Sequence, residues 1–400
     1  MSGITGMGTT FNLPNYHGEL FALTPSETPL LSAIGGLTGG GSTASTLFEW
    51  QTSDLRDPSQ PAVLEGAAAP TAQERVRANV QNVCQIHQEK VSVSYTKQAT
   101  SGMYNTQGSA PFRSADGAAN PVQNELDWQT QQALKSIALD VNYSFWNGEF
   151  VNPTDNTSAR RTRGLITASS TNLTNKGTAI TGITSATDTF TKTSHGLSDG
   201  DKVVLTAVGA ATGVVMGRVY YVVSSAANTF KLAATSGGSA ITVGTSAAVS
   251  LIKPWSTTLA TSHLDDFVQG IWDNGGLGTT PILAANSTQK RAITKAYASA
   301  YGQGAVIAHG SSVGGVAVDT VLTDFGTFGI MLDRHIPKDA IVAVSLGELR
   351  PVFLDIPGKG VFFEEPLAKT GASDEVQIYG EIGLEYGAEQ HHGVLRGLAV

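Results

Sequence analysis

Hydrophobic and polar positions change period several times along this 400-residue chain, and each change marks an element. Residues 1–45 hold no sustained period; they are polar, spotted with glycine and carry Pro14, Pro25 and Pro29. One apolar piece, Thr28-Pro29-Leu30-Leu31-Ser32-Ala33-Ile34, stands out, and proline at a first helical position with Gly35-Gly36 as a stop predicts a short helix. The glycines at 39–41 predict a hinge. Leu47-Phe48-Glu49-Trp50-Gln51 alternates as a strand does, and the proline-bearing stretch 54–61 breaks it. Small side chains at 66–70 predict a flexible tip, and the alternation of 83–95 predicts the returning strand of a long two-stranded excursion. Two strands alone are barely stable in water, so such an excursion needs another surface to lie on.

The period then shifts to helical. Asn120 as N-cap, Pro121 at the first helical position and Gln123 three residues on predict a helix start. Val122, Leu126, Ala133, Ile137, Val141 and Phe145 form one apolar stripe, and Gly148 is expected to supply a left-handed stop. A helix over 120–147 would run roughly 40 Å at about 1.5 Å per residue. Between 172 and 255 the pattern becomes short β segments, at 178–184, 188–193, 202–207, 219–224, 228–233, 240–243 and 248–253. Turn signals fall at Asp199-Gly200 and Gly237-Gly238, and this spacing predicts a small sandwich or barrel. Helical patterns follow at 263–274 and 287–299, with a buried strand at 281–285 between them. Strand signals then dominate from residue 316 onward, giving an α+β chain with a long antiparallel component.

Composition sharpens three points. Charged residues make up only 14%, which suits a chain that covers much of its exterior in an assembly. The net charge of −8 argues against a dedicated nucleic-acid binder, which needs a basic face. Residues 172–255 carry six basic and three acidic side chains, net +3 against −11 for the remainder, which marks them as a separate module inserted in the main fold. The single cysteine, Cys84, excludes an intrachain disulfide, and no stretch reaches the ~18 apolar residues of a membrane helix. The N-terminus lacks the basic-then-apolar pattern of a secretory signal.

Candidate chemistry is thin. Gly310-Ser311-Ser312-Val313-Gly314 matches a nucleophile-elbow pattern, but a strand-like run follows where a helix is required, so a flexible glycine loop is the expectation. Glu389, His391 and His392 include two adjacent histidines, which on a strand would face opposite ways and share one metal ion poorly. The same objection meets the pair Glu364-Glu365. Arg160, Arg161 and Arg163 are the densest basic run and are expected to form ion pairs within or between subunits. No catalytic, cofactor or metal residue is therefore nominated, and the chain is expected not to be an enzyme.

The order of segments resembles the major capsid proteins of tailed bacteriophages, with their HK97-type fold. Tyr16-His17-Gly18-Glu19-Leu20 and Ser26-Glu27-Thr28-Pro29-Leu30-Leu31 look like the N-arm of one such family. Phe48-Glu49-Trp50, Asp54-Leu55-Arg56 and Val63-Leu64-Glu65-Gly66-Ala67 look like its E-loop. Glu125-Leu126, Ala133-Leu134 and Asp140, then Arg161-Thr162-Arg163-Gly164-Leu165, look like the spine-helix region. Ile271-Trp272, Gly275-Gly276 and Thr323-Asp324-Phe325-Gly326 resemble axial-domain segments. Thr193-Ser194-His195-Gly196-Leu197, Val219-Tyr220-Tyr221-Val222-Val223 and Thr229-Phe230-Lys231-Leu232-Ala233 resemble a small β module of phage structural proteins.

The resemblance implies an N-arm at 1–45, an E-loop at 46–100 and a peripheral domain at 101–171 with spine helix 120–147. It further implies an inserted all-β domain at 172–255, a mainly axial domain at 256–345 and return strands at 346–400. Many copies would form the hexamers and pentamers of an icosahedral head in the virion, assembled in the host cytoplasm around double-stranded DNA held by non-specific contact. Leu30, Leu31 and Ile34 would clamp the arm on neighbours, and Arg56, Glu65, Glu74, Arg75 and Arg77 would pair across subunits. Because the chain starts directly with an arm, any scaffold is expected to be a separate protein; a portal and a decoration protein complete the expected partners, with no membrane. Two alternatives stay open: a compartment shell of the encapsulin kind, and a hydrolase using Ser312.

Overall fold

A computed structural model describes residues 25–55, 58–69, 71–72, 74–96, 125–186, 188–244, 247–276, 281–301, 319–368 and 371–400. They fall into two compact units. The larger comprises Thr28–Ile86, Asp140–Val361 and Glu381–Val400, and the smaller the described parts of Met1–Glu27, His87–Leu139 and Phe362–Gly380.

In chain order the first elements are α1 (Pro29–Ala33), β1 (Gly41–Thr43), β2 (Leu47–Ser53), β3 (Arg77–Val83) and β4 (Gln85–Ser94). Helix α1 starts on Pro29 and stops at Gly35 and Gly36, both at positive φ, with the Gly36 amide donating to Leu31 O. The strand that pairs with β2 is β3, in antiparallel register from Leu47↔Val83 to Ser53↔Arg77. This corrects the expectation that 83–95 returns the excursion. Burial explains the difference: β3 is exposed or half-buried from Arg77 to Gln81 and buried only at Asn82 and Val83, so most of its length needs no apolar face and its alternation is silent. The clean alternation of β4 reports burial elsewhere, in the smaller unit.

Helix α2 (Glu125–Asn147) follows; its expected cap at 120–123 lies outside the described residues. Ala133, Ile137, Val141 and Phe145 are buried along its expected stripe. Gly148 ends it without a left-handed turn, since its φ is not positive. It is glycine because a Cβ there would collide with backbone atoms of Ser144, Thr162 and Gly164, and Gly164 N donates to Gly148 O at 2.9 Å. A short helix α3 (Leu165–Ala168) and strand β5 (Leu173–Asn175) complete this stretch.

Six strands then close into a barrel: β6 (Thr178–Ala186), β7 (Thr189–Thr191), β8 (Lys202–Ala207), β9 (Val219–Val223), β10 (Thr229–Ala233) and β11 (Ala247–Lys253). Around the barrel the order is β10-β7-β6-β11-β8-β9, with β9 pairing back to β10. Its core holds Ile183, Phe190, Leu205, Val222, Phe230 and Leu251. Phe190 and Phe230 stack at 5.4 Å. The expected strand at 240–243 is reduced to one bridge, Ala233↔Ala240. The first and last barrel strands meet where they join the rest of the chain, with Thr178 opposite Lys253. On either side of that point Lys176 N donates to Arg396 O and Trp255 N to Gly397 O.

The remaining elements belong mostly to the larger unit, where they form an α/β layer. Helix α4 (Thr261–Asp273), β12 (Pro281–Ala285), helix α5 (Ser287–Tyr301), β13 (Thr320–Thr323), β14 (Gly326–Leu332) and β15 (Ile341–Ser345) come first. Then follow β16 (Arg350–Leu354), β17 (Phe362–Pro366), β18 (Ser373–Glu385) and β19 (Gly393–Arg396). A six-stranded mixed sheet runs β13-β14-β12-β15-β19-β5. Helices α4 and α5 pack beside each other against it through Leu264, Phe267, Ile271, Ile293 and Tyr297. In the smaller unit, β17 pairs with the first half of β18, and Lys90 of β4 reaches Glu375 at 2.7 Å.

Candidate assembly surfaces

The excursion β2–β3 is firm at its base and bare at its tip. At the base Phe48 stacks on Trp50 at 5.9 Å, and Trp50 meets the edge of Tyr386 at 4.8 Å. The Trp50 indole N–H donates to Gly387 O at 2.7 Å. Asn82, fully buried, donates to Leu384 O at 2.7 Å and accepts from Arg163 N at 2.8 Å. Beyond it the ladder is held by side-chain pairs across the strands, Arg77 to Gln51 at 3.0 Å and Asn79 to Glu49 at 3.2 Å. Past Ser53 the chain carries Leu55, Val63, Leu64 and Val76, four large aliphatic side chains between 77% and 85% exposed. These side chains sit on a limb with a fixed base, and the described residues of their own chain leave them uncovered.

Of the nominated residues, Glu65, Glu74, Arg75 and Arg77 lie exposed on this limb, and Arg56 lies outside the described residues. Arg77 is spent within the hairpin; among the described residues Glu65, Glu74 and Arg75 have no ion-pair partner. Leu30 and Leu31 are buried in their own chain, and Leu31 N donates to Asn142 Oδ1 at 3.1 Å. They pin the arm to its own subunit, which leaves half-buried Ile34 as the nominated arm residue with surface to offer. No period governs the four tip aliphatics, so periodicity does not single them out; their sequence signal is large aliphatic side chains set between prolines and charges.

The remaining polar candidates are consumed internally. Arg160 pairs with Glu381 at 3.0 Å, Arg161 donates to Gly209 O at 3.3 Å, and the Arg163 guanidinium lies 4.5 Å over Phe150. Glu389 accepts from Ser170 and Thr171; burial pushes its carboxyl up, yet these hydrogen bonds prevail and hold it below the usual range. His391 bonds Glu348 at 2.5 Å, on a 3-10 turn rather than a strand. Buried His392 accepts from Ser345 N through Nδ1 and bonds Tyr386 O through Nε2. The three point at separate partners, and among the described residues no group of His, Cys, Asp and Glu is placed to hold a metal. Glu364 and Glu365 follow each other on β17 and so take opposite faces. Burial, with Glu381 nearby, pushes the Cys84 thiol up to about 12, which removes it from thiolate chemistry at neutral pH. Ser312 lies outside the described residues.

The sequence model of the SU10 major capsid protein family matches residues 3–399. The chain belongs to that family. This major capsid protein is thus a subunit of a virion shell, and the α+β fold expected from segment order is the one its solved relatives share. The capsid protein of cyanophage A-1(L) matches at 10% identity over 99% of each chain, with a TM-score of 0.54. The capsid of a native GTA particle matches at 11% identity over 100% of this chain and 99% of that one, with a TM-score of 0.50. At such identities the likeness is one of fold. A search of curated proteins finds no match. Among the described residues no helix is long and apolar enough to cross a membrane.

Proposed function

We propose that this major capsid protein builds the icosahedral head of a tailed phage, as hexamers and pentamers around double-stranded DNA, by association and not by catalysis. The observation that carries the reading is the limb between β2 and β3. Its base is locked by Trp50 and Asn82, and its tip offers Leu55, Val63, Leu64 and Val76 to whatever adjoins it. Laid over an adjacent copy, those side chains would each contribute about 1.5–3 kcal/mol if fully buried. Glu65, Glu74 and Arg75 would then select the register more than the affinity, since exposed pairs are worth ~0–1 kcal/mol each. Arg56, outside the described residues, is proposed as a further partner in such pairs. Repetition around a closed shell multiplies a modest contact.

Partners beyond self follow the same reading: a separate scaffold protein, a portal, a decoration protein on the outer face, and packaged DNA touched non-specifically. The barrel, whose ends Thr178 and Lys253 are paired with each other, supports an inserted domain within 172–255, although Leu173–Asn175 of that range pair with β19 of the main sheet. Electron microscopy of the purified chain, alone and with a co-expressed scaffold, tests the function. Closed shells or rings are expected. A folded chain that stays monomeric under both conditions overturns it.

A further inference from the structure

Helices α4 and α5 carry opposite charge that they do not use on each other. Helix α5 contains no acidic residue; Ser287, Arg291, Lys295 and Ser299 are exposed at every fourth position. Beside this stripe Thr288, Ala292 and Ala298 leave a shallow groove of about 730 Å³ walled by small side chains and by Lys290, Arg291 and Lys295. Among the described residues neither Arg291 nor Lys295 has a carboxylate partner, whereas Lys290 reaches Asp319 at 3.4 Å. The exposed face of α4 carries Asp265, Asp266 and Asp273, and the β13–β14 turn adds Asp324. None of these four has a basic partner among the described residues. Burial, then Asp324 and Asp266, raise the Asp265 carboxyl, the mark of a like-charge crowd with nothing to relieve it.

Amid these acids stands Trp272, 55% exposed, its ring 6.0 Å from that of Phe325, with Leu322 on the same hairpin 77% exposed. An exposed tryptophan in an acidic surround and a small-walled groove flanked by cations are complementary in shape and in charge. Tryptophan is the side chain most often found at the energetic centre of an interface, and its face attracts arginine and lysine. Because the two patches differ, a contact between copies through them would be head-to-tail, the kind that closes into rings.

We propose that α4 of one copy docks on α5 of the next, with Trp272 seated over Ala292 and Ala298 between Arg291 and Lys295, and with Asp265, Asp266, Asp273 and Asp324 facing those cations. This rests on the shell reading above and names the residues that would join neighbours within one ring.

The test is a charge exchange in the full-length chain. One variant carries Arg291→Glu and Lys295→Glu, the other Asp265→Lys and Asp266→Lys. Each alone is expected to keep the wild-type circular dichroism and to yield at least tenfold fewer rings by native mass spectrometry. Mixed in equal amounts, they restore every contact only when they alternate, so rings of even copy number return and five-membered rings do not. Trp272→Ser, with all charges kept, is expected to lose rings as well. The contact is overturned if either reversal assembles alone as wild type does, if the mixture stays unassembled, or if Trp272→Ser assembles normally. If wild type itself never assembles, the shell reading falls with it; if wild type and both reversals all assemble, the contact alone falls.

Discussion

The indole N–H of Trp146 donates to Asp333 Oδ2 at 2.8 Å, joining the last turn of α2 to the turn that follows β14. The same oxygen accepts from Asn142 Nδ2 at 2.9 Å, while Oδ1 accepts from His335 N at 2.8 Å. Burial pushes the Asp333 carboxyl up, but the donors from His335, Asn142 and Trp146 outweigh it and hold the group ionised below the usual carboxylate range. Asn142 also binds Leu31 N, so one buried carboxylate organises the arm, the helix and the sheet of the larger unit. Asp333→Ala should lower stability by about 3 kcal/mol or more, because several buried donors lose their acceptor together. Trp146→Phe, which keeps the ring and removes one donor, should cost roughly 1–2 kcal/mol. Urea denaturation measures both; an unchanged midpoint for Asp333→Ala would count against this node.

Acid should weaken the fold before the carboxylates titrate. Burial lowers His87 to about 4, and its Nε2 has no hydrogen-bond partner among the described residues. The unfolded chain takes up that proton near pH 6.5 and the folded chain only near 4. Stability from His87 is therefore complete above about 6.5, falls progressively as pH drops toward 4, and amounts to ~3 kcal/mol across that window. His392 is shifted the same way, by burial first, and its Nδ1 is occupied by Ser345 N. Thermal melts from pH 7.5 to 4 should show the decline, and His87→Leu should flatten part of it. Equal slopes for the two proteins would remove His87 from the account.

The limb tip should matter to assembly and not to the monomer. Leu64 is 85% exposed, so Leu64→Asp should change the melting free energy by no more than about 0.5 kcal/mol. The same substitution places an unpaired charge in the proposed intersubunit contact and should slow or abolish particle formation followed by light scattering. Normal assembly kinetics would show that the tip stays in solvent.

The barrel should be removable. Thr178 and Lys253 are opposite each other, so a short linker can replace the strands between them without stretching the chain. Among the described residues removal forfeits the bonds from Tyr143 Oη to Met216 O at 2.9 Å, from Val208 N to Glu149 at 3.1 Å, from Arg161 to Gly209 O at 3.3 Å and from Lys202 Nζ to Val400 O at 2.5 Å, which are few beside the core under α4 and α5. The shortened chain should still unfold in one cooperative transition by circular dichroism; loss of that transition would make the barrel part of the main core. In the intact chain Phe190→Ala should cost ~3–5 kcal/mol, with proteolytic sensitivity confined to the barrel.

Much of this fold could be read from the chain because burial leaves a periodic trace. In β9, Val219–Val223, every second residue is buried, and α2 buries Ala133, Ile137, Val141 and Phe145 at helical spacing. Where burial is absent the trace vanishes: β3 faces solvent on both sides from Arg77 to Gln81 and is buried only at Asn82 and Val83, so the alternation of the half-buried β4 outweighs it in the sequence. Gly148 was read as a turn residue because sequence does not reveal the backbone of Thr162 pressing on it. The Asp333 node was invisible for a similar reason, since Asn142 and Trp146 lie 191 and 187 residues away. Limb-tip aliphatics and the Trp272 patch break the burial pattern instead of following it, and assembly surfaces are found where that pattern fails.

The closure of the six barrel strands has a consequence for crowding. In a shell each subunit faces identical sequences at fixed, short range, a setting in which any strand with unpaired amides is a template for its own copies. A barrel has no outermost strand, so this one offers no such template. The module is suited to repetition at close range without knitting neighbouring copies into fibres.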